Sequence, residues 1–266
     1  MDASHPPVHR RHALRAGAAA AVALTAGCQE RAPAAPAATP TRTVAAKPAA
    51  TAAGAHAPAP VPRRFPGQPV QITSGPRDRA RVALTFHGQG DPAVARTVLG
   101  EAERAGARVT VLAVGSWLDE HPGMARRILD GGHDLGNHTQ HHIDISALDE
   151  TRAYAEITGC AQRLRRLTGS IGTWFRPSRT RYATPLVQRL AARAGYPHVL
   201  SYDVDSLDFT SPGAAAVTRK VAGEIRNGSV VSLHFGYADT VAALPLLLTE
   251  IDRRGLRAVT TTELLS

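Results

Sequence analysis

His138 and His142 stand four positions apart, and imidazoles at that spacing can share a metal ion. In a helix the spacing brings both rings to one face. Neutral imidazole is a good ligand for zinc and other first-row divalent ions. Two imidazoles, a carboxylate and an open position suit metal-assisted hydrolysis, because the ion acidifies bound water and polarises a carbonyl. Histidine pairs at this spacing also occur on solvated helix faces, so the pair needs support from elsewhere in the chain. Another histidine, His234, ends the apolar run Ser229-Val230-Val231-Ser232-Leu233. At the end of a buried strand an imidazole is costly unless paired, which favours a functional role over that of a satisfied core residue.

The support comes from the neighbouring residues. Gly132-His133-Asp134-Leu135-Gly136-Asn137-His138-Thr139 runs into His142. This segment resembles the second motif of the polysaccharide deacetylase (NodB-homology, carbohydrate esterase family 4) proteins, G-H-E-[IL]-G-N-H-[ST]-x-x-H. The other motifs of that family follow in order. The first, T-F-D-D-G, is matched by Thr85-Phe86-His87-Gly88-Gln89-Gly90-Asp91, with both aspartates missing. In the family the first aspartate is the general base and the second is the third metal ligand. The resemblance therefore puts His87 in the position of the base, a role open to histidine near neutral pH. Asp91 is the nearest carboxylate, across a glycine-flanked loop, and is expected to substitute as ligand. Its other reading is N-cap of the next helix. The reverse assignment, His87 on the metal and Asp91 as base, stays open.

Phe175-Arg176-Pro177-Ser178 resembles the third motif, R-P-P-[YFG]-G, in which the arginine orients the base. Arg176 inherits that expectation; its plain reading is a surface ion pair. Asp205-Ser206-Leu207-Asp208-Phe209 resembles the fourth motif, D-[ST]-x-D-W. By resemblance Asp205 pairs with the catalytic-acid histidine and raises its pKa, while Asp208 caps a loop. The fifth motif ends in L-L-H, and Leu233-His234 matches it. The resemblance spans roughly residues 79–260. It implies hydrolysis of N-acetyl, less readily O-acetyl, groups on a carbohydrate polymer, with a divalent metal, zinc foremost, on Asp91, His138 and His142. His133 is expected to support the metal loop. Trp117, Trp174, Tyr182, Phe209 and Tyr237 can stack on sugar rings, although aromatics are more often core. A glycan-binding member without catalysis, and a hydrolase of other C–N bonds, are the alternatives.

The elements that must position these residues alternate. Short β-branched runs at Arg81–His87, Arg108–Val114, Thr173–Phe175, His198–Tyr202, Ser229–His234 and Leu256–Val259 read as strands. Between them lie helical patterns over Pro92–Ala105, Pro122–Leu129, Asp149–Leu167, Thr184–Ala194 and Pro212–Arg226, with a last helix before Leu256. Alternation of this kind predicts an α/β fold with a mainly parallel sheet and crossover helices. The residues with chemistry fall at strand C-terminal ends, where parallel barrels assemble sites from separate loops. The expected fold is a distorted (β/α) barrel of the NodB type over residues 79–266.

The first 78 residues read differently. Residues 1–28 resemble an export signal: Arg10, Arg11 and Arg15 precede an Ala/Val/Leu run that ends in Leu24-Thr25-Ala26-Gly27-Cys28. That ending resembles a lipobox, and Arg10-Arg11 resembles a twin-arginine signal. The run is short for a membrane span. Residues 29–78 are expected to form an Ala/Pro-rich tether. The net charge is +9, of which residues 1–27 carry +2, residues 28–78 +4 and the remainder +3. Most of the excess lies outside the domain, and no dense basic stripe marks it, so no nucleic-acid partner is expected. The partners expected are an acetylated polysaccharide and a membrane, reached through a lipid on Cys28. Cys160 sits in a helical pattern as a small core residue.

Overall fold

The computed structural model describes residues 59–266. The export signal, Cys28 and the tether as far as residue 58 lie outside the described residues. The chain runs β1 (Gln71–Ile72), β2 (Arg81–Gly88), α1 (Pro92–Arg104), β3 (Thr110–Ala113), α2 (Gly115–Glu120), α3 (Gly123–Asp130) and β4 (Asp134–Asn137). It continues through α4 (Glu150–Thr168), α5 (Pro185–Arg193), β5 (Val199–Leu200), β6 (Val204–Asp205) and α6 (Ala214–Glu224). It closes with β7 (Val230–His234), α7 (Ala238–Arg253), β8 (Arg257–Val259) and α8 (Thr261–Leu264). Helix ends follow their caps. Asp91 accepts from Ala93 N at 2.7 Å with Pro92 at the first turn of α1. Asp149 caps α4, and Gly169, at φ 85°, ends it in the left-handed conformation.

Every ladder between these strands is parallel, in the order β4-β3-β2-β7-β6, with β8 on the first residues of β2. Phe175 links β4 to β5 by single bridges, and β5 pairs with β1. The expected parallel α/β architecture is present, but no continuous ladder closes it into a barrel among the described residues. Side chains alternate across β2. Val82, Leu84 and Phe86 pack under the helices. Ala83 turns to the other face, where it meets Phe65, Trp174 and Val259. Thr85 and His87 share that face by the same alternation. Parallel register sets Thr85 opposite Ser232 and His87 opposite His234. The chemistry is thereby delivered to one end of the inner face.

The helix expected over Pro122–Leu129 is present as α3, and a further short helix, α2, precedes it. Two expectations change. The strand predicted at Thr173–Phe175 reduces to the bridges at Phe175. The end of the supposed tether belongs to the folded body. Phe65 is buried and stacks on Trp174 with centroids 5.2 Å apart, and Ile72 is fully buried beside β5. Isolated large apolar residues among prolines and glycines carry no periodicity, which is why this segment reads as linker. Phe65→Ala should cost about 3 kcal/mol, the usual loss for an emptied aromatic site, measured by urea unfolding. An unchanged midpoint would mean that the segment does not pack.

Candidate active site

The strand β4 hands the chain to a tight turn that carries both metal-candidate histidines. The turn is not helical: Thr139 and His142 adopt φ of 68° and 54°. Asn137 braces it from below. Its Nδ2 donates to Ile157 O and Tyr196 Oη, each at 2.9 Å, while its Oδ1 accepts from Thr139 N at 2.8 Å. Thr139 Oγ1 in turn accepts from His142 N at 3.2 Å and donates to Ser178 Oγ at 3.0 Å. These bonds offset the left-handed strain. They hold the rings of His138 and His142 with centroids 4.9 Å apart.

A third imidazole completes the group. One ring nitrogen from each of His87, His138 and His142 lies within 4.8 Å of the others. His138 Nδ1 donates to the Arg176 carbonyl at 3.0 Å, so its Nε2 carries a lone pair. His87 Nε2 meets Ser232 Oγ at 3.0 Å. His87 Nδ1, His138 Nε2 and His142 Nε2 are buried with no hydrogen-bond partner. Burial, then neighbouring positive charge, holds His87 and His138 well below the usual histidine range. Burial, then the charges of Arg179 and His234, brings His142 down to about 4. All three are neutral near pH 7. An unmet buried polar atom costs about 1–3 kcal/mol, and three aimed together can hold a divalent metal ion.

Asp91 is not among them. It is exposed, with its carboxylate on the N-terminus of α1. Trp117 Nε1, bonded to Gly90 O at 2.8 Å, fixes the loop that carries it there. Gly88, at the second aspartate position, has no room for a side chain: a Cβ would stand 2.8 Å from Val111 Cγ1. A nitrogen of His87, and not the Asp91 carboxylate, lies with those of His138 and His142, which agrees with the reverse assignment left open from the sequence.

His234 lies beside His87, with centroids 4.2 Å apart. Its partner is Asp208, not Asp205. Asp208 Oδ1 accepts from His234 Nδ1 at 2.7 Å, and Oδ2 accepts from His234 N at 2.8 Å and Thr240 Oγ1 at 2.5 Å. Asp205 instead accepts from Tyr202 Oη and Leu207 N. The turn reverses at Leu207, whose φ is 55°, and swings the fourth residue of the motif rather than the first toward His234. Burial pushes the Asp208 carboxyl up, but the hydrogen bond and charge of His234, with Thr240, outweigh it and hold the group low.

Arg176 is buried and makes no hydrogen bond to His87. It donates to Thr85 Oγ1 at 2.9 Å and to the carbonyls of Leu200 and Ser201. With imidazole instead of carboxylate at position 87, a guanidinium finds no charged acceptor there. Burial lowers Arg176 to about 10, against the opposing pull of Tyr202 and Asp205, so it stays charged. A cavity of about 410 Å³ opens over His87, His142, Ser232 and His234, with Phe209 and Tyr237 on its wall. Trp117 and Trp174 are buried, and Tyr182 is half exposed. His133 is a structural residue: Nδ1 accepts from Val109 N, and Nε2 meets Glu103. Sequence reasoning missed Ser232 and Asp208. Ser232 could have been found by its position two residues before His234, on the same strand face.

Asp208→Asn should destabilise the fold by about 2 kcal/mol, within the range for a buried charged acceptor, and Asp205→Asn by less. Because Asp208 is held below its unfolded pKa of roughly 3.9, its contribution is complete above that pH and fades as pH falls through the lowered native value. Urea midpoints from pH 7 to pH 2 should therefore converge for wild type and Asp208→Asn. A constant gap would contradict the pairing.

Residues 74–199 match the polysaccharide deacetylase family. A peptidoglycan-N-acetylglucosamine deacetylase of Bacillus cereus is 30% identical over 194 residues, covering 71% of this chain and 90% of its own. The enzyme PgdA of Listeria monocytogenes, of the same description, is 28% identical over 206 residues, which make up 77% of this chain and 43% of its own. Among solved structures, the Bc1960 peptidoglycan N-acetylglucosamine deacetylase superposes with a TM-score of 0.69 at 25% identity, over 73% of this chain and 92% of that one. BA3943 of Bacillus anthracis, described as a CE4 family pseudoenzyme, shares the fold with a TM-score of 0.70 at 22% identity, over 75% of this chain and 70% of that one. With these matches beside its five motifs and its parallel fold, the chain belongs to the polysaccharide deacetylase family.

Proposed function

We propose that this chain is a metal-dependent hydrolase that removes N-acetyl groups from an extracellular or cell-surface carbohydrate polymer. The observation that carries the proposal is the convergence of three unpartnered imidazole nitrogens, of His87, His138 and His142, beside the Asp208–His234 pair, at the floor of a cavity that His87, His142 and His234 line. His87, His138 and His142 would hold the ion, and three nitrogen donors with an open position suit zinc. When bound, it would acidify water and polarise the acetamide carbonyl. The rest falls to the chain itself. Ser232 orients His87, and the Arg176 carbonyl fixes the tautomer of His138. Asp208 engages Nδ1 of His234 and leaves Nε2 as the nitrogen available to the cavity. With His87 turned into the ligand group, His234 is the residue placed to take a proton from the attacking water and deliver it to the departing amine, while Asp208 stabilises its cationic form. Asp205 and Arg176 serve the wall of the site, and Asp91 serves α1. The resemblance of residues 1–28 to an export signal ending at Cys28 supports an activity outside the membrane on a lipid-anchored tether. No helix among the described residues is long and apolar enough to cross a membrane.

The second reading, glycan binding without turnover, rests on the absence of a carboxylate at positions 87 and 88. Metal content and acetate release separate the two. After chelation and dialysis against zinc, the wild-type domain and Asp91→Asn should retain about one ion per chain, while His87→Ala and His138→Ala should lose at least tenfold in affinity. Zinc loss from Asp91→Asn but not from His87→Ala would reverse the ligand assignment. His234→Ala should keep the ion yet release acetate from chitooligosaccharides about a hundredfold more slowly, the scale of a lost proton carrier. A wild-type domain that binds zinc and glycan but releases no acetate would establish the second reading.

A further inference from the structure

The two ends of the sheet differ in chemistry. Because its ladders are parallel, the strands begin together at one end, while His87 and His234 close β2 and β7 at the other. Arg81 opens β2, and His87 stands about 20 Å further along at the usual rise per residue. The starting end is rich in arginine. Arg81 lies opposite Arg257 in the pairing of β2 with β8, and Arg79 precedes it on an exposed loop. Arg77, Arg226 and Arg254 line a shallow cavity of about 540 Å³ over Ile225 and Leu256.

Helix dipoles account for only part of this charge. Arg253 and Arg254 at the end of α7 answer such a dipole, but arginines at strand starts and in loops do not, because sheets carry little net dipole. The carboxylates that face these groups are taken up: Asp203 by Arg77, Glu250 by Arg253 and Arg254, and Glu263 by Arg108. Asp78 and Asp252 are exposed and offset some of the excess. Arg226 and Arg257 are exposed and make no ion pair with any described residue. The root of the tether lies at this same end. Ala59 and Pro60 line a cavity with Arg108 and Glu263, and Pro60 O accepts from Ser170 Oγ at 2.6 Å.

We propose that this arginine-rich end is a docking surface for an anionic phospholipid bilayer, with phosphate headgroups at Arg226 and Arg257 and in the cavity between Arg77, Arg226 and Arg254. Guanidinium groups suit phosphate oxygens, and basic side chains are held at an anionic membrane surface within a Debye length. The segment from Cys28 to Ala59, extended, reaches on the order of 100 Å, so the tether alone leaves the body free to tumble. Charge at its root orients the body, with the histidine cavity turned away from the lipid and toward a polymer above it. The inference rests on the lipid anchor of the proposed function for nearness to a membrane, and not on the deacetylase chemistry.

Vesicle co-sedimentation tests it on the processed chain without its lipid, residues 29–266, which contains every described residue. Wild type should partition onto phosphatidylcholine vesicles with about 30% phosphatidylglycerol about tenfold or more better than onto phosphatidylcholine alone, and salt at about 0.5 M should abolish the difference. Arg226→Glu with Arg257→Glu should remove the preference. Arg96→Glu with Arg152→Glu changes the net charge equally at exposed sites on α1 and α4, toward the other end, and should keep most of it. Urea midpoints check that both variants fold. No preference in wild type, a preference that survives Arg226→Glu with Arg257→Glu, or equal losses in the two variants would overturn the proposal. So would binding to soluble polyglycerol phosphate without binding to vesicles, which would assign the surface to a wall polymer. Acetate release from chitooligosaccharides should be unchanged by Arg226→Glu with Arg257→Glu. Docking by a wild type that releases no acetate contradicts the deacetylase reading and leaves the surface standing; release without docking does the reverse.

Discussion

Three buried imidazole nitrogens face one another in this molecule without a hydrogen-bond partner, and much of the surrounding structure exists to keep them so. An unmet buried lone pair is unfavourable, and three together are tolerated only if the fold gives them no alternative. The hydrogen bond from His138 to the Arg176 carbonyl decides which nitrogen is bare. The contact between His87 Nε2 and Ser232 orients the second ring one strand away and leaves Nδ1 to face the group. Asn137 and Thr139 hold a left-handed turn in place so that His142 reaches the other two. The parallel pairing of β2 with β7 then fixes where proton chemistry can occur, because it sets His87 opposite His234.

The same constraint explains the charge of the site. A carboxylate in the ligand group would have offset part of an ion's charge; a third imidazole offsets none. The buried Arg176 adds to the positive field, and the carboxylates nearby are committed elsewhere, Asp208 to His234 and Thr240 and Asp205 to Tyr202 and Leu207. A site of this kind favours neutral histidines, and with an ion bound it would polarise an acyl oxygen.

Much of the framework was legible in the chain because it depends on local signals. Asp91 and Pro92 announce α1, the apolar face from Ala153 to Leu164 announces α4, and the apolar run before His234 announces β7. The errors share another cause, in that each turns on geometry between residues without periodicity. Motif order places Asp205 first, but a single positive φ at Leu207 makes Asp208 the residue that reaches His234. Sequence distance makes Asp91 the nearest carboxylate, but its N-cap bond directs it to α1. A four-residue spacing suggests a helix at His138 and His142, where the chain instead makes a strained turn. Phe65 and Ile72 sit in a stretch whose composition reads as linker, and their burial depends on Trp174 and β5, which are remote in sequence.

The number of imidazoles around the ion separates this account from any that keeps a carboxylate ligand. X-ray absorption at the zinc edge of the metal-loaded domain counts them directly. The account predicts outer-shell scattering from three histidine rings, falling to two in His87→Ala. Scattering from two rings plus a carboxylate in the wild type, unchanged by His87→Ala, would contradict it.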